Sequence, residues 1–248
     1  MAGHSHVKNV MHRKGAQDAR RAHQFARLIR EITVAARSGL PDPASNPRLR
    51  AAVTAALKAN MLKDTVERAI KKAAGEAGGV DYSEVRYEGY GPANVAVIVD
   101  AATDNRNRTA SEIRFLFSRA DGALGETGSV GWTFESRGLI EVDPQKLSED
   151  ELTERALVDG VIDVRFGEPT EIVTEPARLM AAKDELEAAG LRVTSAELSM
   201  EAKQTVRPSA ADTQKVLSFL DALEDHEDVH RVYSNADFDE AALEALLS

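Results

Sequence analysis

Cysteine is absent from all 248 residues. That excludes disulfides, thiolate nucleophiles, iron–sulfur clusters and every zinc site built on sulfur. Long apolar runs are missing too: the longest unbroken aliphatic stretch, Val95–Val99, is far below the ~20 residues that a membrane helix needs. No apolar signal core follows the basic residues of the amino terminus, so the sequence predicts a cytoplasmic protein with no membrane partner. Aromatics are scarce at 5%, with one tryptophan, which leaves little material for stacking bases. Phosphate-loop signatures are lacking as well. Gly89 and Gly91 do not continue to a third glycine at dinucleotide spacing, and Gly122, Gly125, Gly128 and Gly131 come without the lysine and hydroxyl of a phosphate loop. No cofactor is expected.

What is present is an uneven charge. Residues 1–75 carry 15 Lys and Arg against 5 Asp and Glu, a net of +10, while the rest carries 16 against 36, a net of -20. Four of the six histidines also lie in the basic part. Such a split points to a polyanion held by one segment, with the acidic remainder limiting indiscriminate adhesion; a solvated basic helix face is the competing reading.

The periodicity of apolar residues orders the chain. Residues 1–16 show none and read as an irregular basic arm. Phe25, Leu28, Ile29, Ile32 and Ala36 recur at steps of three and four, predicting an amphipathic helix over 17–38. Asn46 before Pro47 is a cap followed by a first-turn proline, and opens a second helix toward Asn60; a third runs from Lys63 to Gly75. The period then changes. Val85–Glu88 and Val95–Ala101 read as strands and Asn105–Ala120 as a helix, before a glycine-rich loop leads to Trp132 and Phe134, both read as core. From Gly138 the order is strand, helix, strand, strand, helix, strand, the ferredoxin-like arrangement, with Ser148 and Glu151 at capping-box spacing. After Pro208 come a helix, a strand at Val229–Tyr233 and a terminal helix from Phe238. The fold class is therefore α+β in three domains: a basic three-helix domain over 1–79, an α/β domain formed by 80–134 with 205–248, and a ferredoxin-like domain, 135–204, inserted in it.

Catalytic candidates are weak. His4 and His6 flank a serine, but an unpacked arm cannot hold catalytic geometry. Asp225, His226, Glu227, Asp228 and His230 could ligate a metal, yet at a helix-to-strand junction they read as an acidic, solvated turn. No enzyme and no metal are expected. The basic residues carry a better argument. Lys8, Arg13, Lys14, Arg20, Arg21, Arg27 and Arg30 accumulate with only Asp18 opposing them, and Arg20 and Arg27, seven apart, share a helix face. Charges on long stems suit phosphates, and guanidinium forks can also read or stack on a base. Arg106 and Arg108, in TDNRNRT, form a second group at a strand-to-helix turn, where capping by Asp104 or Asn105 competes with a phosphate contact.

The arm MAGHSHVKNVMHRKGAQDARR, the helix FARLIREITVAAR, and the strings DPASNPRLRAAV, RYEGYGP, TDNRNRT and LGETGSV together resemble the YebC/PmpR family of probable transcriptional regulatory proteins. The resemblance runs over nearly the whole chain. It implies a cytoplasmic, non-enzymatic protein with a helical amino-terminal domain and two α/β domains. It also implies DNA binding in transcriptional control; mitochondrial relatives are translational activators, and some bacterial ones resemble translation factors acting on the ribosome. This chain departs from the family pattern at His6, Val7, Met11 and Leu62, where lysine, tryptophan, lysine and proline are usual. The reading favours a DNA-binding regulator. Its alternatives are a translation factor on ribosomal RNA and a protein-interaction scaffold.

Overall fold

The structure, a computed structural model, describes residues 17–75, 82–239 and 243. It begins with three helices: α1 (Gln17–Ser38), α2 (Pro47–Lys58) and α3 (Lys63–Gly75). Their apolar faces meet in one small core of Ile32, Ala35, Leu49, Ala52, Ala56, Met61 and Val66, with Phe25, Leu28 and Ile29 packed against it. Asn46 explains the string DPASNPRLRAAV. Its Oδ1 accepts the Leu49 amide at 3.0 Å while its Nδ2 donates to the carbonyls of Ala35 at 2.8 Å and Leu40 at 2.9 Å. One buried side chain thus caps α2 and ties it to the end of α1.

An antiparallel sheet follows, with strand order β3-β1-β2-β8, from β1 (Ser83–Tyr90), β2 (Ala96–Thr103), β3 (Ala123–Leu124) and β8 (Val229–Ser234). Helices α4 (Arg106–Arg119) and α7 (Ala210–Glu224) pack on it through Ile113, Phe117, Val216 and Leu220, all buried. RYEGYGP is a packing string here. A Cβ on Gly89 would stand 2.5 Å from the Ala123 carbonyl, and one on Gly91 2.5 Å from the Phe219 ring, which itself meets Phe117 edge-on with centroids 4.9 Å apart. Only glycine allows β3 and these two rings so close.

The end of LGETGSV, with Gly131 just after it, serves an internal anion. The carboxylate of Glu88, 4% exposed, accepts the amides of Gly128 and Val130 at 3.0 Å each and of Gly131 at 2.7 Å. Burial pushes this carboxyl up, but the three amides outweigh it and hold the group below the ordinary glutamate range. A backbone nest that could take a phosphate is filled by the chain's own side chain.

The second sheet, order β5-β6-β4-β7, comprises β4 (Phe134–Asp143), β5 (Val161–Arg165), β6 (Thr170–Thr174) and β7 (Arg192–Ala202). With α5 (Glu149–Arg155) after β4 and α6 (Leu179–Ala188) after β6, this is the ferredoxin-like arrangement, every pairing antiparallel. Ile140, Val142 and Ile172 face Leu152, Ala182 and Leu186 of the two helices. Ser148 and Glu151 form the capping box. The protein is thus an N-terminal helical region followed by two α/β domains, and its described residues fall into two compact units that divide at Thr133/Phe134 and Lys203/Gln204. The helical region shares a unit with the first sheet. Among the described residues no helix is long and apolar enough to cross a membrane.

Candidate nucleic-acid interface

Helix α1 has two buried faces rather than one. Beside the face that fills the helical core, positions 27, 30, 31 and 34 recur at steps of three and four and lie on a single side. Val34 there is 6% exposed. Arg27 donates to the carbonyl of His230, and Arg30 to that of Glu227. The Arg30 guanidinium also pairs with Asp228 at 3.5 Å and stands over the Tyr82 ring, 5.3 Å from its centroid. Glu31 accepts from Arg48 at 2.8 Å, and Arg48 reaches on to Glu84 at 3.1 Å. These arginines bind the helix to the turn that enters β8. In the structure Arg27 and Arg30 are half-buried and each turns at least one donor toward this turn, which places them as internal clasps rather than free side chains.

Arg108 is committed in the same way. Its Nη2 lies 2.9 Å from both Asp104 and Asp228, while the Asn105 side chain caps α4 by accepting the Arg108 amide at 3.1 Å. Of the two readings of TDNRNRT, the structure realises capping. Arg106 differs: it is exposed at the first turn of α4 and makes no ion pair among the described residues. Lys8, Arg13 and Lys14 lie outside the described residues. Arg20 and Arg21 occupy the opening turns of α1, and their side chains also lie outside what is described.

Asp228 is the hub of this region at 1% exposure. Besides Arg108 and Arg30 it accepts from Thr109 Oγ1 at 2.6 Å, and its amide donates to His226 Nδ1 at 3.1 Å. Burial raises its carboxyl, but Thr109, Arg108 and Arg30 prevail and keep it below the usual aspartate range. Within the stretch 225–230, Asp225 and Glu227 are exposed as a solvated turn would have them, whereas Asp228 is buried. Glu112, His226 and Asp228 bring ligand atoms within 4.8 Å of one another. Two guanidiniums on Asp228 give the cluster the character of a buried ion-pair network rather than a cation site.

His230 sits under the α1 clasp with its imidazole pushed down to about 4, chiefly by burial, Glu31 opposing and Arg27, Arg30 and Arg48 adding to the shift. It stays neutral in the fold at pH 7, whereas in the unfolded chain it titrates near 6.5. Its contribution to stability is complete above about pH 6.5 and is lost as pH falls toward 4, by roughly 3 kcal/mol at most. Denaturant melts of the chain and of His230→Gln between pH 4.5 and 7 check this: the variant's stability should vary less across the window. Parallel curves would contradict it.

Trp132, read as core from the sequence, is 62% exposed, although Phe134 is buried at 3%. The loop held by Glu88 presents the indole outward, with Nε1 donating to the Ser129 carbonyl at 3.1 Å. No alternation of residues revealed this, since a short helical turn at Gly131–Thr133 precedes the strand.

Residues 5–76 match the family model described as the TACO1/YebC protein N-terminal domain, and residues 82–236 the one described as the TACO1/YebC second and third domain. A probable transcriptional regulatory protein of Methylococcus capsulatus is 52% identical over 248 residues, covering 99% of this chain and all of that one. Another, of Thermotoga maritima, is 48% identical over 250 residues, covering 100% of this chain and 98% of that one. The crystal structure of a conserved hypothetical protein from Aquifex aeolicus is similar at a TM-score of 0.84 and 45% identity, over 93% of this chain and 96% of that one.

Proposed function

Because the chain belongs to the TACO1/YebC family, we propose that it regulates gene expression by binding nucleic acid, with DNA in transcriptional control as its partner. The observation that carries this reading is the partition of the basic residues. Once Arg27, Arg30 and Arg108 are committed internally, Lys8, Arg13, Lys14, Arg20, Arg21 and Arg106 remain as candidate phosphate ligands. Five of these six precede residue 22, where Asp18 alone opposes them. Such a segment makes sequence-independent phosphate contacts and fixes register, while any base readout falls to the guanidinium forks. The names of the relatives support a transcriptional role. The reading is cytoplasmic and includes no catalytic step, metal or cofactor.

Ribosomal RNA is the second reading, favoured by the exposed indole of Trp132, because single-stranded RNA is recognised by stacking on aromatics. Sedimentation of the native protein in cell extract separates the two. The DNA reading expects the protein to stay out of the ribosomal fractions whether or not ribonuclease is added. Co-sedimentation with ribosomes that ribonuclease abolishes would put RNA first.

A further inference from the structure

The ferredoxin-like sheet ends on one side at β5, a strand that pairs with β6 and, among the described residues, with no other. The outer row of amides and carbonyls on such a strand is a template for another. Native edges are commonly blunted by a bulge or by charge, and β5 has both: its ladder slips by one residue between Val161 and Asp163, and Asp163 and Arg165 stand on the strand. These charges are of opposite sign. They disfavour most pairings and favour one.

The favoured pairing follows from the order Ile162, Asp163, Val164, Arg165, Phe166, which is self-complementary about Val164. An antiparallel copy laid on the edge with Val164 opposite its own counterpart sets Asp163 against the partner's Arg165 and Ile162 against the partner's Phe166, each twice. Every opposed pair is then acid with base or apolar with apolar. A parallel copy in register sets like charges together, and a slip of one residue loses the charge pairing. The side chains have room to take part. Ile162 is 47% exposed and Phe166 42%, large apolar groups at the two ends of the row. Asp163 accepts the Val164 amide at 2.9 Å and Arg165 Nε at 3.1 Å, which leaves about two of a carboxylate's four acceptor sites. Arg165 gives Nε to Asp163 and Nη2 to Glu201, and keeps Nη1.

We propose that β5 is the interface of a homodimer, in which two copies join their four-stranded sheets edge to edge about a two-fold axis at Val164. Main-chain hydrogen bonds supply the affinity, and the charge order sets the register and the partner. An edge of this length belongs to the small, weak class of interface, so the dimer forms and dissociates in the micromolar range. A dimer carries two basic domains, which raises avidity for a polyanion without a new contact. That consequence rests on the proposed function, whereas dimerisation is measured without any nucleic acid, so the two fail separately.

Sedimentation of the full chain from about 5 to 500 µM should show a monomer passing into a dimer, the range expected of an interface of this size. Asp163→Arg opposes an arginine to the partner's Arg165 twice per dimer and should weaken association at least about tenfold. Mixed with Arg165→Asp it should dimerise again, because each misplaced charge then meets its opposite; a role confined to one chain gives no such rescue. If a variant does not fold, Val164→Cys decides, in a chain with no cysteine of its own. Opposed Cα atoms about 4.5–5.5 Å apart are within disulfide reach, so oxidised V164C should link two chains at least about tenfold faster than the exposed control Lys146→Cys. A parent that stays monomeric throughout, an undiminished dimer in D163R, or equal linking of V164C and K146C overturns the proposal.

Discussion

Between 50 and 200 mM salt the affinity of the full chain for duplex DNA is expected to fall on the order of a thousandfold. The figure follows from six phosphate contacts, each releasing close to one condensed counterion, which gives a logarithmic slope of about -5. Six is the number of candidate cations left after the internal clasps are set aside. The structure sharpens the expectation for single residues. Arg20→Gln should lower affinity at every salt and flatten the slope by about one. Arg108→Gln should leave the slope unchanged, because that guanidinium is held by Asp104 and Asp228. Filter or fluorescence titrations at four salt concentrations measure both. A slope near zero for the parent chain would remove phosphate contact from the account.

Asp228→Ala should be among the most damaging single substitutions in the molecule. The carboxylate is 1% exposed and accepts from Thr109 and Arg108 while pairing with Arg30. Removing it leaves Arg30, 12% exposed, facing no counter-charge, and takes from the Thr109 hydroxyl its shortest hydrogen bond, at 2.6 Å. Loss of one partner from a buried ion pair costs roughly 3–5 kcal/mol. For a chain of this size that corresponds to a fall in melting midpoint of roughly 6–15 °C. Asp228→Asn keeps the shape and one acceptor, so it should lose less. A change below about 1 kcal/mol in the alanine variant would show that the clasp does not hold α1 to the β8 turn.

Much of this architecture was legible in the sequence, for physical reasons that differ by element. Helices α1, α2 and α3 announce themselves by apolar spacing and by the Asn46–Pro47 start, and the capping box of α5 is written in Ser148 and Glu151. Strands were legible in position but not in extent: Leu139–Val142 is the readable part of a strand that runs from Phe134 to Asp143, because its other residues alternate charge with small side chains. The terminal helix expected from Phe238 lies almost wholly outside the described residues.

The candidate site was harder to read, since a guanidinium that seeks phosphate and one that caps carbonyls look alike in a sequence. A signal was available at α1 nonetheless. Glu31 and Val34 share the face of Arg27 and Arg30, and a carboxylate and a valine do not belong on a surface that meets phosphate. Asp228 gave no such sign. Its burial depends on Arg30 and Thr109, more than a hundred residues away, and no local pattern records them. Trp132 was misread for the opposite reason. Its exposure is set by three amides that grip Glu88 from the loop before it.

The most direct test of the central claim is the salt dependence of DNA binding by the full chain with Lys8, Arg13 and Lys14 changed to glutamine. The account predicts a slope shallower than the parent's by about three, with the melting midpoint unchanged. An unchanged slope with affinity intact would contradict it and hand the phosphate contacts to another surface.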